Sequence, residues 1–303
     1  MYPKYITLVW ENIKDYNVYY TENPVLSCEY YITEVHLRKI NTDVKVYGKI
    51  KSNCCKLHSS KLKYKGFKSV SFLKSNIQKA VRLGKIDEAL CSSYNLINLD
   101  FNGFLRRLIT ICIEDVGIPS TLPFMTWLLM AYCNIELSNE FIKLLLLTVY
   151  GICKHNIKHF PDNTCTELYY EKYDYSNPIT NSLIIASEYG GFAGDVRLFN
   201  TFINSKNIYV INIPIKNLVL TRNITKKDII QSAIDFHCYP EILAEISRQT
   251  GIAGDTIKKL IWLNSSSINY RVYHNITEKS VWNMINKIYN NLQNKIIQNL
   301  YIN

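Results

Sequence analysis

Carboxylates are nearly missing from one long stretch of this chain. Between Arg38 and Lys85 the only acid is Asp43, while lysine and arginine recur throughout. That stretch carries more excess positive charge than the whole 303-residue chain, whose formal charge is +10, so the remainder is slightly acidic. A charge imbalance this localised favours a polyanionic partner, with surface solubility as the alternative.

Other absences narrow the function further. There is no G-x-x-x-x-G-K-[ST] loop. Gly48-Lys49-Ile50 and Gly84-Lys85-Ile86 lack both the glycine frame and the hydroxyl that would hold magnesium, so a phosphate-loop ATPase is excluded. No paired carboxylates and no Ser/His/Asp set declare themselves, and no cofactor is expected. The apolar run from Leu144 to Val149 is far too short to span a membrane. Nine cysteines at irregular spacing, without a signal peptide, point to reduced thiols in a cytoplasmic or nuclear setting. Glycine (11) and proline (8) are sparse while Tyr, Asn, Ile and Lys are abundant, which reads as the coding bias of an AT-rich genome.

The basic stretch has a pattern. Lys61-Leu62-Lys63-Tyr64-Lys65-Gly66-Phe67-Lys68 interleaves cations with apolar and aromatic residues. Lysines bind phosphates without reading sequence, and aromatics between them can stack on unpaired bases. The candidate nucleic-acid-binding residues are Lys49, Lys51, Lys56, Lys61, Lys63, Tyr64, Lys65, Phe67, Lys68, Lys74, Lys79 and Arg82. The competing reading is a solvated Lys-rich edge that blocks strand pairing.

Residues 1–70 read as β-rich: Tyr5 to Trp10, Val18 to Tyr20, Tyr30 to Ile32 and Val44 to Tyr47 are β-branched or aromatic runs. A helical region follows. Ser75 and Gln78 have capping-box spacing, with Ile77, Ala80 and Val81 inward and Lys79, Arg82 and Lys85 toward solvent. Asp87 and Glu88 open a second helix, and a third covers residues 101–115 before the stop at Gly117 and Pro119. Glu114 and Asp115 sit at the unfavourable end of that helix dipole, so a basic partner is expected.

Residues 75–117 resemble the helical C-terminal region of the replication-associated recombination ATPases, relatives of the clamp loaders that include the Werner-helicase-interacting proteins. The resemblance rests on Ser75, Gln78, Lys79, Val81 and Arg82, then Asp87, Ala89 and Leu90, then Arg106-Arg107-Leu108 and Glu114-Asp115-Val116-Gly117. It covers under one sixth of the chain and excludes the ATPase core. It implies an oligomer-assembly role, with replication or repair proteins, or further copies of the chain, as partners.

Further on, Leu122 to Tyr132 and Phe141 to Ile152 read as helices, with Ser138 capping the second, which the near-continuous apolar run makes central. Residues 160–182 read as a polar boundary. Thr225 with Asp228 starts a helix through Ile234, Pro240 opens another, and a third begins at Ala253-Gly254-Asp255. These closely spaced helices form a weak helix-turn-helix candidate. The last helix has Val281, Met284, Ile285, Ile288, Leu292 and Ile296 on one side.

Four minor candidate sites remain in the sequence. Cys153, His155, His159 and Cys165 are ligand types in proximity, but their spacing matches no established zinc finger. The loop Gly190 to Asp195 has three glycines in five positions and reads best as a turn between helices. His237-Cys238 would need a third group to act as a base and nucleophile. Ser265 to Arg271, with Arg271 as clamp, could cradle a phosphate.

The expectation is therefore a mainly helical α+β protein with a basic β-rich region at 1–70, a helical bundle at 71–160 and a mixed, mostly helical domain at 161–303. Its expected role is a non-enzymatic DNA-binding accessory or assembly factor of replication or repair. The alternatives are an enzyme acting on nucleic acid or nucleotide, with a site near 190–195, His237 and 265–271, and a structural assembly protein.

Overall fold

The computed structural model describes residues 3–24, 30–38, 41–50, 69–155, 157, 176–190, 192, 195–205, 208–218, 222–266 and 279–300. The fold is α+β and mainly helical, with an N-terminal mixed sheet followed by helices. The chain forms two compact units, each built from two segments: Met1–Lys63 with Asn102–Val219, and Tyr64–Phe101 with Leu220–Asn303. These borders are interleaved, unlike the serial borders near 70 and 160 expected from sequence. The stretch 75–117 is itself divided between the units.

In the first unit, β1 (Tyr5–Asn12), β2 (Asp15–Thr21), β3 (Tyr30–Leu37) and β4 (Thr42–Ile50) form a sheet in the order β2-β1-β4-β3. The outer pairs are antiparallel and the central pair β1-β4 is parallel. Alternation assigns the two faces. Ile6, Leu8, Trp10, Val18, Tyr20, Val44 and Val46 are buried on the inner face. A β-bulge between Tyr31 and Thr33 shifts the β3 register, so that Tyr31 and Glu34 share the outer face despite a separation of three.

The helix beneath the sheet is α4 (Leu122–Ala131), buried at all ten positions and packed against all four strands. It is the central helix; α5 (Asn139–His155) keeps several half-buried positions, contrary to the sequence expectation. Ser138 does cap α5, accepting from the Phe141 amide at 3.1 Å. Trp10, Phe124 and Phe141 form an aromatic cluster, with Trp10–Phe141 centroids 4.6 Å apart and edge-on. Trp127 donates its indole N–H to the Tyr47 carbonyl at 2.7 Å. It packs under Gly48, where an added Cβ would lie 3.4 Å from its ring and 3.0 Å from Ile32. Helix α6 (Pro178–Tyr189) lies against α4, and Tyr20 and Ser182 share a 2.6 Å hydroxyl–hydroxyl hydrogen bond.

Helix α3 (Phe101–Ile111) runs into a π-helical turn, Cys112–Val116, ended by Gly117 at φ +145°, which disfavours other residues. Ile118–Pro119 pairs in parallel with Val210–Ile211. Among the described residues 208–218, strand is confined to Val210–Ile211.

In the second unit, α1 (Val70–Arg82) packs along α2 (Ile86–Leu99). Its cap is Ser69, accepting from the Phe72 amide, so Ser75 sits inside the helix and the Ser75–Gln78 capping box is not formed. The Thr225–Asp228 box is formed, but it begins a single 3₁₀ turn, Lys226–Asp228, followed by another at Gln231–Ala233. The expected continuous helix is broken because Ile229 and Ile230 are extended, and the Ile230 amide donates to the Asn76 side chain at 2.8 Å. Asn76 also donates to Ser92 and to the Asp228 carbonyl, so one buried amide ties both helices to this segment.

Helices α8 (Glu241–Thr250) and α9 (Gly254–Ile261) follow, and Gly251 closes α8 at φ +70°. Helix α10 (Lys279–Asn299) buries Trp282, Ile285, Tyr289 and Gln293, whereas Met284 is exposed, so its inner stripe is rotated from the one read in sequence. Tyr289 and Gln293 donate to the carbonyls of Gln231 and Ile234.

Lys79 is buried rather than solvent-facing. Its ammonium lies 4.0 Å from the Asp235 carboxylate, with side-chain exposures of 8% and 2%. Burial pushes the Asp235 carboxyl up, but the His237 hydrogen bond and the Lys79 charge outweigh it, leaving it below the ordinary carboxylate value. A depressed folded pKa contributes stability above the unfolded value of about 3.9 and loses it as pH falls through the folded value. Asp235→Asn removes the carboxylate that faces the buried Lys79 ammonium, so the variant is expected to be about 3 kcal/mol less stable at pH 7. The gap from wild type should narrow below about pH 4. Urea melts across pH check this; a pH-independent gap would contradict it.

Candidate nucleic-acid interface

The outer face of the N-terminal sheet carries an aromatic row. Thr7 on β1 pairs with Tyr19 on β2 and with Tyr47 on β4, and Tyr47 pairs with Tyr31 on β3. One line across the four strands therefore reads Tyr19–Thr7–Tyr47–Tyr31. Directly opposed residues sit about 5 Å apart, so their side chains form a continuous surface. The Tyr31 and Tyr47 rings meet edge-on at 5.7 Å, and Tyr5 lies 6.0 Å from Tyr47 on the other side. Tyr19 is 43% exposed and Tyr31 56%, whereas Thr7 in the middle is 1% exposed.

Lysines flank the row. Lys45 and Lys49 lie two residues to either side of Tyr47 on the same face of β4, opposite Tyr5 and Val9 respectively. Neither makes a side-chain hydrogen bond or ion pair with any described residue. Glu34 is opposite Lys45 on β3, and His36 is paired with Asp43 at 2.7 Å. Directly after Ile50 the chain enters residues 51–68, which hold six lysines, Tyr64 and Phe67 and no carboxylate.

Chemically, this surface offers flat, electron-rich rings in a row across the strands, with ammonium groups on either side of it. Tyrosine has two side-chain torsions, so it presents ring area at small entropic cost. Stacking on such rings accepts any base, and the lysines supply the phosphate attraction.

The residues predicted from sequence fall into three groups. Lys49 lies on this face, exposed. Lys74, Lys79 and Arg82 lie on α1 in the second unit: Lys74 pairs with Asp100 at 3.2 Å, Lys79 faces Asp235, and Arg82 is half-buried with an interaction of its own. They therefore do not form an open cationic ridge. Lys51, Lys56, Lys61, Lys63, Tyr64, Lys65, Phe67, Lys68 and Arg271 lie outside the described residues. Tyr5, Tyr19, Tyr31 and Tyr47 were missed as site residues, although Lys45-Val46-Tyr47-Gly48-Lys49 is a period-two Lys–Tyr–Lys signal that could have found them.

The other candidates are placed as follows. Cys153 is buried and His155 stacks on Tyr209 at 5.8 Å, while His159 and Cys165 lie outside the described residues. Among the described residues no three His, Cys, Asp or Glu side chains are grouped to hold a metal. Gly190 closes α6, Phe192 packs on Phe199, and Asp195 precedes α7 (Val196–Ile203). His237 is on a turn, 60% exposed, with its Nδ1 3.2 Å from Asp235. Ser265 and Ser266 end a π-helical turn, and 267–271 lie outside the described residues. Scans against protein-family models, curated proteins and solved structures found no match to this chain.

Trp127 holds the backbone beneath this face. Trp127→Phe keeps the packing over Gly48 but leaves the Tyr47 carbonyl without its indole donor. It is expected to destabilise the first unit by about 1–3 kcal/mol. Thermal melting followed by near-UV circular dichroism checks this; an unchanged midpoint would show that the bond contributes nothing.

Proposed function

We propose that this chain is a non-enzymatic nucleic-acid-binding factor whose contact surface is the tyrosine face of the N-terminal sheet, extended by the lysine-rich segment that follows β4. The observation that carries the reading is the Tyr19–Thr7–Tyr47–Tyr31 row, with Tyr19 and Tyr31 exposed at its two ends, Tyr47 half-buried between them, Lys45 and Lys49 on the same face and six more lysines in residues 51–68. Rings and cations, with no converging catalytic set among the described residues, favour holding a strand over cutting or copying it. Unpaired bases are needed to reach the rings, so single strands are preferred over duplex. An accessory role in DNA replication or repair, with assembly onto other replication proteins or further copies of the chain, is the extension that the resemblance at 75–117 supports.

Two substitutions separate the stacking and charge contributions. Tyr31→Ala is expected to weaken single-strand binding by about 1–3 kcal/mol while leaving the salt dependence unchanged. Replacing Lys61, Lys63, Lys65 and Lys68 together by glutamate is expected to weaken binding and to reduce the slope of log K against log salt by about 3. Fluorescence anisotropy with labelled oligonucleotides across a salt series measures both. Affinity unaffected by either change, or duplex bound as tightly as single strand, would contradict the proposal.

A further inference from the structure

Beside the tyrosine row, two residues along the strands, lies a cavity of about 340 Å³ bounded by Lys4, Tyr5, Glu34, Lys45 and the Asn41–Asp43 turn. Its floor follows the strand register. Tyr5 pairs with Lys45, and Lys45 pairs with Glu34, so the three stand in one line across β1, β4 and β3. Adjacent strands are about 4.8 Å apart, which puts Tyr5 and Glu34 about 10 Å from each other at the backbone. Lys45 stands between them on β4, so a nucleobase that reaches from the Tyr5 ring to the Glu34 carboxylate has to lie over the Lys45 stem.

Among the described residues, the side chains of Lys4, Lys45 and Glu34 form no hydrogen bond or ion pair. Asp43, in contrast, is held by His36 at 2.7 Å. The site therefore offers two ammonium donors, one carboxylate acceptor and a ring that already leans on the Tyr47 ring of the row.

We propose, resting on the nucleic-acid reading above, that this cavity selects a guanine nucleotide within the bound strand. The base would stack on Tyr5, Lys4 and Lys45 would take its phosphates, and Glu34 would accept from its Watson–Crick edge. Guanine is the base whose hydrogen-bonding groups match the cavity. An ionised carboxylate only accepts, through two oxygens that suit two parallel N–H donors. Guanine presents N1–H and the 2-amino group side by side. Adenine and cytosine present one amino group next to an acceptor nitrogen, and thymine and uracil present one N–H between two carbonyls, both of which repel a carboxylate. The tyrosine row is indifferent to base identity, so the preference resides in this cavity.

The test is anisotropy of the full chain with three single-stranded probes: an all-thymidine strand, the same strand with one central guanosine, and the same strand with inosine in its place. Inosine keeps N1–H and lacks the 2-amino group. The guanosine strand is expected to bind about tenfold tighter than the thymidine strand, with inosine recovering less than half of that gain on a logarithmic scale. Glu34→Gln, at an exposed position where folding is verified by circular dichroism, is expected to bring the guanosine-to-thymidine ratio close to one. Equal affinity of the wild-type chain for the guanosine and thymidine strands overturns this inference while leaving the general reading intact, as does a ratio unchanged by Glu34→Gln. Failure of all three probes to bind overturns both.

Discussion

The arrangement of the first unit depends on a helix closing one face of the sheet. Helix α4 is apolar around its full circumference, and its Trp127 indole is bonded to the backbone of β4 beneath Tyr47. Side chains alternate along a strand, so fixing Val44, Val46 and Gly48 against the helix also fixes Lys45, Tyr47 and Lys49 toward solvent. A one-residue slip would exchange the two sets, and burying lysine against Phe124 and Trp127 makes that slip prohibitive. The hydrophobic seal on the inner face thus specifies what the outer face presents. The tyrosines stand on a braced backbone rather than on a loop, which limits the entropy lost when a ligand settles on them.

The second unit combines its apolar core with a set of buried polar groups. Asn76 satisfies three hydrogen bonds to two elements, and Asp228 accepts from Arg222 and from the Thr225 amide and hydroxyl. Asp235 and Lys79 face each other with almost no solvent access. Such groups are costly unless paired, and paired they favour one arrangement of the 3₁₀ segment over others. The same fact separates two kinds of cation in this protein. Lys74 and Lys79 serve the fold, whereas Lys45 and Lys49 have no partner within the described chain and remain available to a polyanion.

Local signals in the sequence foretold the elements but not their assembly. The β-branched and aromatic runs located the strands, Ser138 located the start of α5, and Pro240 located α8. Ser75 misled because a capping box is a local pattern, and Ser69 took the cap. Lys79 misled because its partner, Asp235, is remote in sequence and no helical periodicity announces it. The α10 stripe was rotated because Tyr289 and Gln293 are buried to satisfy carbonyls, which hydrophobicity does not register. The candidate surface was half legible. The lysine density was plain, but the tyrosines became a row only through cross-strand register and the bulge at Ile32, neither of which can be read along a single strand. The division of residues 75–117 between two units was invisible for the same reason: it is set by long-range packing.

A braced sheet bearing rings and lysines, followed at once by a lysine-rich segment, is the surface on which the proposed binding rests. The central claim is that unpaired bases lie on the tyrosine row. Photocrosslinking a single strand carrying 4-thiothymidine, followed by mass-spectrometric mapping of the modified peptides, tests it most directly. Crosslinks at Tyr19, Tyr31 or Tyr47 are the expected result; crosslinks confined to residues 222–300, or none at a concentration that saturates binding, would contradict it.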